Sequence, residues 1–186
     1  RVAQIDTEEG AISNFFVMLR GNAYNPFGPD VEKLVEFCRT NGHRISVHVD
    51  LTGCVEDYDD AIITECRRFG EWYGGVIPDV VSIHRPSPDL IAEMNAKTNG
   101  RVRHTYHRSV FEDIAYFADS AGRWSYGFPL DSIAFQERRS MQIAIHPIWW
   151  HTQAQCAKDR LSEYTANVQA KTEQYCQANF PRVYND

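Results

Sequence analysis

Arg44-Ile45-Ser46-Val47-His48 (RISVH), continued by Val49 and Asp50, is a short apolar run that closes on an imidazole and a carboxylate. Isoleucine and valine suit a pleated, buried strand, so the run predicts a β-strand over 44–48. On its N-terminal side, 30–41 carries Val31, Leu34, Val35 and Cys38 at helical spacing, opened by Pro29-Asp30 and closed by Gly42. Before that helix comes a turn-rich loop, Gly21 to Pro29, and a second apolar run, Ile12 to Leu19 (ISNFFVML). On the C-terminal side, Tyr58, Ile62, Cys66, Phe69 and Tyr73 predict a helix over about 56–73, stopped by Gly74-Gly75. Asp79 to His84 (DVVSIH) then reads as a strand, and 90–97 as a short helix. Ile114 to Asp119 (IAYFAD) and Met141 to His146 (MQIAIH) read as two more strands. The tail, about 152–178, is a helix with Ala154, Ala157, Leu161, Tyr164, Val168, Tyr175 and Ala178 on one stripe, expected to pack on the body. Continuous apolar strands alternating with helices predict an α/β fold with mostly parallel pairing.

The 186 residues, 43% hydrophobic and 12% aromatic, suffice for one domain with a real core. They are few for a complete eight-fold barrel, which takes roughly 250. No apolar run approaches the roughly 18 residues of a membrane span. A net charge of -6 gives a nucleic-acid partner no global support. The five cysteines form no CxxC pair, which argues against a disulfide scaffold or cysteine-zinc module and for a reducing, cytoplasmic setting.

Chemistry gathers at the strand ends. RISVH ends in His48, VVSIH in His84, MQIAIH in His146, and IAYFAD in Asp119. Parallel α/β sheets place their sites at the carboxyl ends of strands. His48 and His84 are 36 residues apart, a strand-helix-strand separation that makes them neighbours. Asp50 follows His48 by two residues, so both would face one side of an extended chain. Imidazole and carboxylate are donors for Zn²⁺ or a related divalent ion. Arg85, at the exit from the His84 strand, could take an anionic group or form a rim salt bridge. Trp149 and Trp150, after His146, could wall a sugar ring or close the core. His43 is expected at the surface, and His104 and His107 in a solvated basic loop. No GxGxxG, P-loop, GxSxG or HExxH motif occurs.

The ordered set HVD, SIHRPSP, YFADSAGRW and QIAIHPIWW resembles the polysaccharide deacetylase superfamily, the NodB-homology domains. It looks closest to the branch found in bacterial O-antigen and surface-polysaccharide gene clusters. The resemblance spans nearly the whole chain, 1–186, as one domain. It implies a deformed (β/α) barrel of about seven strands, here short of its first strand, with helix 152–178 against it. It implies a metal-dependent amidase that deacetylates N-acetylated sugars, with a divalent ion, zinc foremost. By motif, His48 and His84 would be metal ligands and His146 the general acid. Arg85, Asp119, Ser120 and Trp124 would correspond to the Arg-Pro and Asp-Ser-to-Trp motifs of the substrate pocket, with Trp149 beside them.

The family's first strand carries an Asp-rich motif that supplies a metal carboxylate and the general base. No such motif precedes ISNFFVML in this chain, whose first residue is Arg1. Asp6, on a presumed helix, is a poor substitute, and Asp50 is the carboxylate left to partner the histidines. Asp119 would orient His146 or bind the sugar. The expectation is a carbohydrate deacetylase if an upstream segment supplies the base. The alternative is a non-catalytic carbohydrate-binding or assembly protein.

Overall fold

The computed structural model describes residues 1–54, 57–75, 78–97, 102–108, 114–150 and 152–184. The chain divides into two compact units, Arg1–Asp113 and Ile114–Asp186. In the first, helix α1 (Val2–Glu8) leads to strand β1 (Asn14–Val17), helix α2 (Pro29–Thr40), strand β2 (Arg44–Val49), helix α3 (Tyr58–Trp72), strand β3 (Ser82–Ile83) and helix α4 (Pro88–Lys97).

Each boundary has a local cause. Pro29 opens α2, where its missing N–H costs nothing. The Asp57 carboxylate caps α3 by accepting from the Asp59 and Asp60 amides at 2.9 and 3.3 Å. Gly42, at φ +75°, makes the left-handed turn between α2 and β2.

The sheet is parallel, in the order β1-β2-β3. Beyond β3, Val81 forms a parallel bridge to His104. The central strand β2 buries Ile45, Val47 and Val49, and α2 and α3 cover it with Val35, Cys38, Ile62 and Phe69. Those side chains, with Val17, Val31, Leu51, Tyr73, Val81, Ile83 and Met94, are the core of this unit. Burial pushes the thiols of Cys38 and Cys66 up to about 11.

Two histidines expected in solvent are buried here. His43 is 6% exposed. Its Nδ1 accepts from the Ser13 amide at 3.2 Å, so Nε2 carries the proton and faces Thr7 Oγ1 at 2.8 Å and the Ala3 carbonyl at 3.2 Å. It ties α1 and the entry to β1 onto the sheet. His104 is 1% exposed, with no hydrogen-bond partner for either ring nitrogen among the described residues. Burial, with a smaller push from His107, lowers its pKa from 6.5 to about 4.

The second unit contains β4 (Ala115–Ala118), a short helix α5 (Ile133–Gln136), β5 (Met141–Ala144), the long helix α6 (Ala157–Asn179) and α7 (Pro181–Tyr184). β4 and β5 pair in parallel, Ala115 against Met141 through Ala118 against Ala144. The apolar stripe of α6 stays open, with Leu161, Val168 and Tyr175 at 43, 40 and 63% exposure. No residue of α6 is buried.

The expected barrel of about seven strands is therefore corrected. The described strands form separate parallel sheets of three and two, none longer than six residues. Barrel closure needs an unbroken ring of paired, tilted strands. At β3, where pairing would have to continue, only Ser82 and Ile83 are strand. No helix among the described residues is long and apolar enough to cross a membrane.

Candidate functional site

The register of β2 and β3 sets His48 against Ser82 and Val49 against Ile83. The His84 amide donates to the Val49 carbonyl at 2.7 Å, carrying the pairing one step past the strand. This brings the two imidazoles together at the carboxyl ends of adjacent strands. His48 Nε2 lies 3.1 Å from His84 Nδ1, with the rings nearly perpendicular at 87°. Both side chains are half-buried. Two nitrogens at that distance either share one proton or share a cation, because two facing N–H groups repel.

Asp50 closes the same strand end but turns into its own loop. Its Oδ1 accepts from the Thr52 amide at 2.9 Å, an Asx turn over Leu51-Thr52-Gly53. Hydrogen bonds from Thr52 hold the carboxyl below its usual range, with help from the charges of His84 and Arg20. The Asp50 carbonyl accepts from Arg20 Nη2 at 2.8 Å. Arg20 Nε is in turn held by Glu65 on α3 at 3.0 Å, and that Glu65 side chain is only 4% exposed. Sequence reasoning passed over Arg20 and Glu65. A charged residue just past β1 and an acid on the inner face of an amphipathic helix were the available signals.

Two imidazole nitrogens at tetrahedral positions around zinc stand about 3.3 Å apart, given bonds near 2.05 Å. The His48–His84 pair comes within a few tenths of that. The donor chemistry therefore fits two positions around a borderline-soft divalent ion. Among the described residues no group of three His, Cys, Asp or Glu side chains stands ready to hold one. Arg85, next to His84, is exposed and takes φ +45°, a left-handed turn unusual for a side-chain-bearing residue. Ser87 then caps α4, its Oγ accepting from the Leu90 amide at 3.1 Å. A cavity of about 300 Å³ in this unit is lined by Phe27, Arg68, Glu71 and Trp72 and includes neither histidine.

The second unit assembles its own cluster at the ends of β4 and β5. Asp119 is 3% exposed, and its amide donates to the Ala144 carbonyl at 3.2 Å. Its carboxylate receives the His146 amide at 2.9 Å on Oδ1 and 3.1 Å on Oδ2. His146 Nδ1 donates to Oδ1 at 2.6 Å. The Trp150 indole donates to Oδ2 at 2.6 Å. Burial alone would raise the pKa of Asp119. The donors from His146 and Trp150, and the charge of His146, outweigh it and hold the carboxyl below its usual range. Because a carboxylate only accepts, the nitrogen that faces it is Nδ1–H, and the His146 side chain is 47% exposed.

Ser120 begins an exposed 3-10 turn over Ser120–Gly122. Trp124 is half-buried against Phe128, ring centroids 5.9 Å apart. Trp149 is half-buried, and a Cβ on Gly122 would lie 3.4 Å from its ring. Of the two consecutive tryptophans, Trp150 reaches the carboxylate, whereas Trp149 was the one expected at the site.

No protein-family model, curated protein or solved structure matches this chain.

Proposed function

We propose that the chain is a metal-dependent hydrolase that removes acetyl groups from N-acetylated sugars of a bacterial surface polysaccharide. The observation that carries this reading is the His48–His84 pair, two nitrogens 3.1 Å apart at adjacent strand ends. The four-motif resemblance supports the substrate class, although the described strands form two short sheets and not the barrel that came with it. His48 and His84 would hold the ion, with Asp50 the nearest carboxylate in sequence. The ion would acidify water and polarise the acetamide carbonyl. Arg85 is free to meet an anionic group on the sugar, and Ser120 and Trp124 supply a hydroxyl and an aromatic face. His146, held by Asp119, donates the proton that the departing amine needs. None of the five cysteines is in a disulfide, which supports a reducing, cytoplasmic setting.

A second reading is a carbohydrate-binding or assembly protein without the reaction. It is favoured by the donor set, which stops at two among the described residues. Acetate release from an N-acetylated oligosaccharide in the presence of Zn²⁺ separates the two. The enzyme reading expects release that His48→Ala and His146→Ala each abolish. Sugar binding without release, unchanged in both variants, would establish the second.

A further inference from the structure

The segment after His146 folds back on itself. A 3-10 turn, Pro147–Trp149, is held by the Trp149 amide on the His146 carbonyl and the Trp150 amide on the Pro147 carbonyl, each at 3.0 Å. Arg160 of α6 clamps this turn from outside, donating to the carbonyls of Trp149 and Ala154 at 2.9 Å each. The turn swings residue 150 over the buried Asp119 carboxylate. There the indole meets Oδ2, the oxygen that the His146 side chain leaves open.

We propose that Trp150 is a positioning residue whose indole N–H locks the Asp119 carboxylate, so that His146 is held in the Nδ1–H tautomer with Nε2 as its proton-transfer atom. This rests on the reading of His146 as the proton donor. Without the indole, Oδ2 would keep only the 3.1 Å bond from the His146 amide. A buried carboxylate short of a donor is under-satisfied and concentrates its charge on its remaining partner. That partner is the His146 ring, so its protonated form becomes favoured. The charged groups on the elements at this end are Asp119 at the end of β4, Arg123 after the Ser120–Gly122 turn, and Lys158, Asp159 and Arg160 in the first turn of α6, of which Arg160 is engaged by carbonyls. A Trp150→Phe variant removes the donor and keeps a smaller aromatic ring in its place.

The test is ¹⁵N NMR of the histidine rings of the full chain across pH. In the wild type, His146 should show the Nδ1–H tautomer when neutral. In Trp150→Phe its pKa should rise by about half a unit or more. Trp149→Phe should leave that titration where it was, because the Trp149 ring lies beside Gly122 and the indole that donates to Asp119 is that of Trp150. An unchanged titration in Trp150→Phe, or an equal shift in Trp149→Phe, overturns the proposal. If Trp150→Phe does not fold, the wild type decides. A protected, downfield Trp150 indole proton is expected, and a freely exchanging one at the ordinary position overturns the proposal. The parent reading fails separately: deacetylation that survives His146→Ala removes His146 as proton donor and leaves the titration result standing.

Discussion

Each imidazole is set by its own surroundings to a different task. His48 and His84 face each other with nitrogens and are half-exposed, so they can exchange a shared proton for a cation. His146 is turned by a buried carboxylate so that one nitrogen is spoken for. His43 has a partner on both nitrogens and serves as a staple. His43→Ala would strand the Ser13 amide and take the imidazole from Thr7 Oγ1, while the Ala3 carbonyl keeps the Thr7 hydroxyl. We expect a loss of about 1–3 kcal/mol in chemical denaturation, with no loss of metal binding. Asp119→Asn should keep the cluster's shape but present an N–H toward His146 and favour the wrong tautomer. Turnover on an N-acetylated oligosaccharide should fall by about 100-fold or more while substrate binding is retained. A variant with full turnover would remove the dyad from the chemistry.

At the element scale, short parallel strands feeding amphipathic helices explain why the site residues share strand ends. The order of elements was legible from apolar periodicity. The runs 44–48 and 141–146 are strand at 44–49 and 141–144, and the helix expected over 56–73 spans 58–72. Strand pairing was less legible. DVVSIH reads as six strand residues, but only Ser82 and Ile83 are strand, with Val81 bridging separately to His104. Local apolarity says that a segment is buried, and not with which neighbour or for how long it pairs. The same limit hid His104, whose burial comes from that bridge and not from its basic surroundings. It also hid Trp150, since only the 3-10 turn decides which of two adjacent indoles faces Asp119. Two element-level tests follow. Asp57→Ala removes the α3 cap and should cost about 1 kcal/mol in denaturant unfolding. Gly122→Ala meets φ +73° and places a Cβ 2.7 Å from that of Ala157, so it should destabilise more, lowering the melting temperature of the 114–186 unit by several degrees.

At the scale of the whole molecule, the stability of the chain carries a pH signature. His104 is buried neutral, with its pKa lowered from 6.5 to about 4. Its folded value is the depressed one, so the unfolded chain takes up the proton first as pH falls. The contribution is complete above about pH 6.5 and is lost progressively down to about pH 4. Between pH 7 and pH 5 the loss should be about 2 kcal/mol in urea unfolding, and His104→Phe should remove that part of the slope. An unchanged slope in His104→Phe would mean that other groups govern the acid limb.

The proposed chemistry depends on whether the His48–His84 pair takes up a divalent ion. Calorimetric titration of Zn²⁺ into the purified full chain at neutral pH tests it most directly. One ion per chain is expected, with affinity weakened by about 100-fold or more in both His48→Ala and His84→Ala while the fold is kept. A wild-type chain that binds no stoichiometric zinc, or one whose binding neither substitution alters, would contradict it.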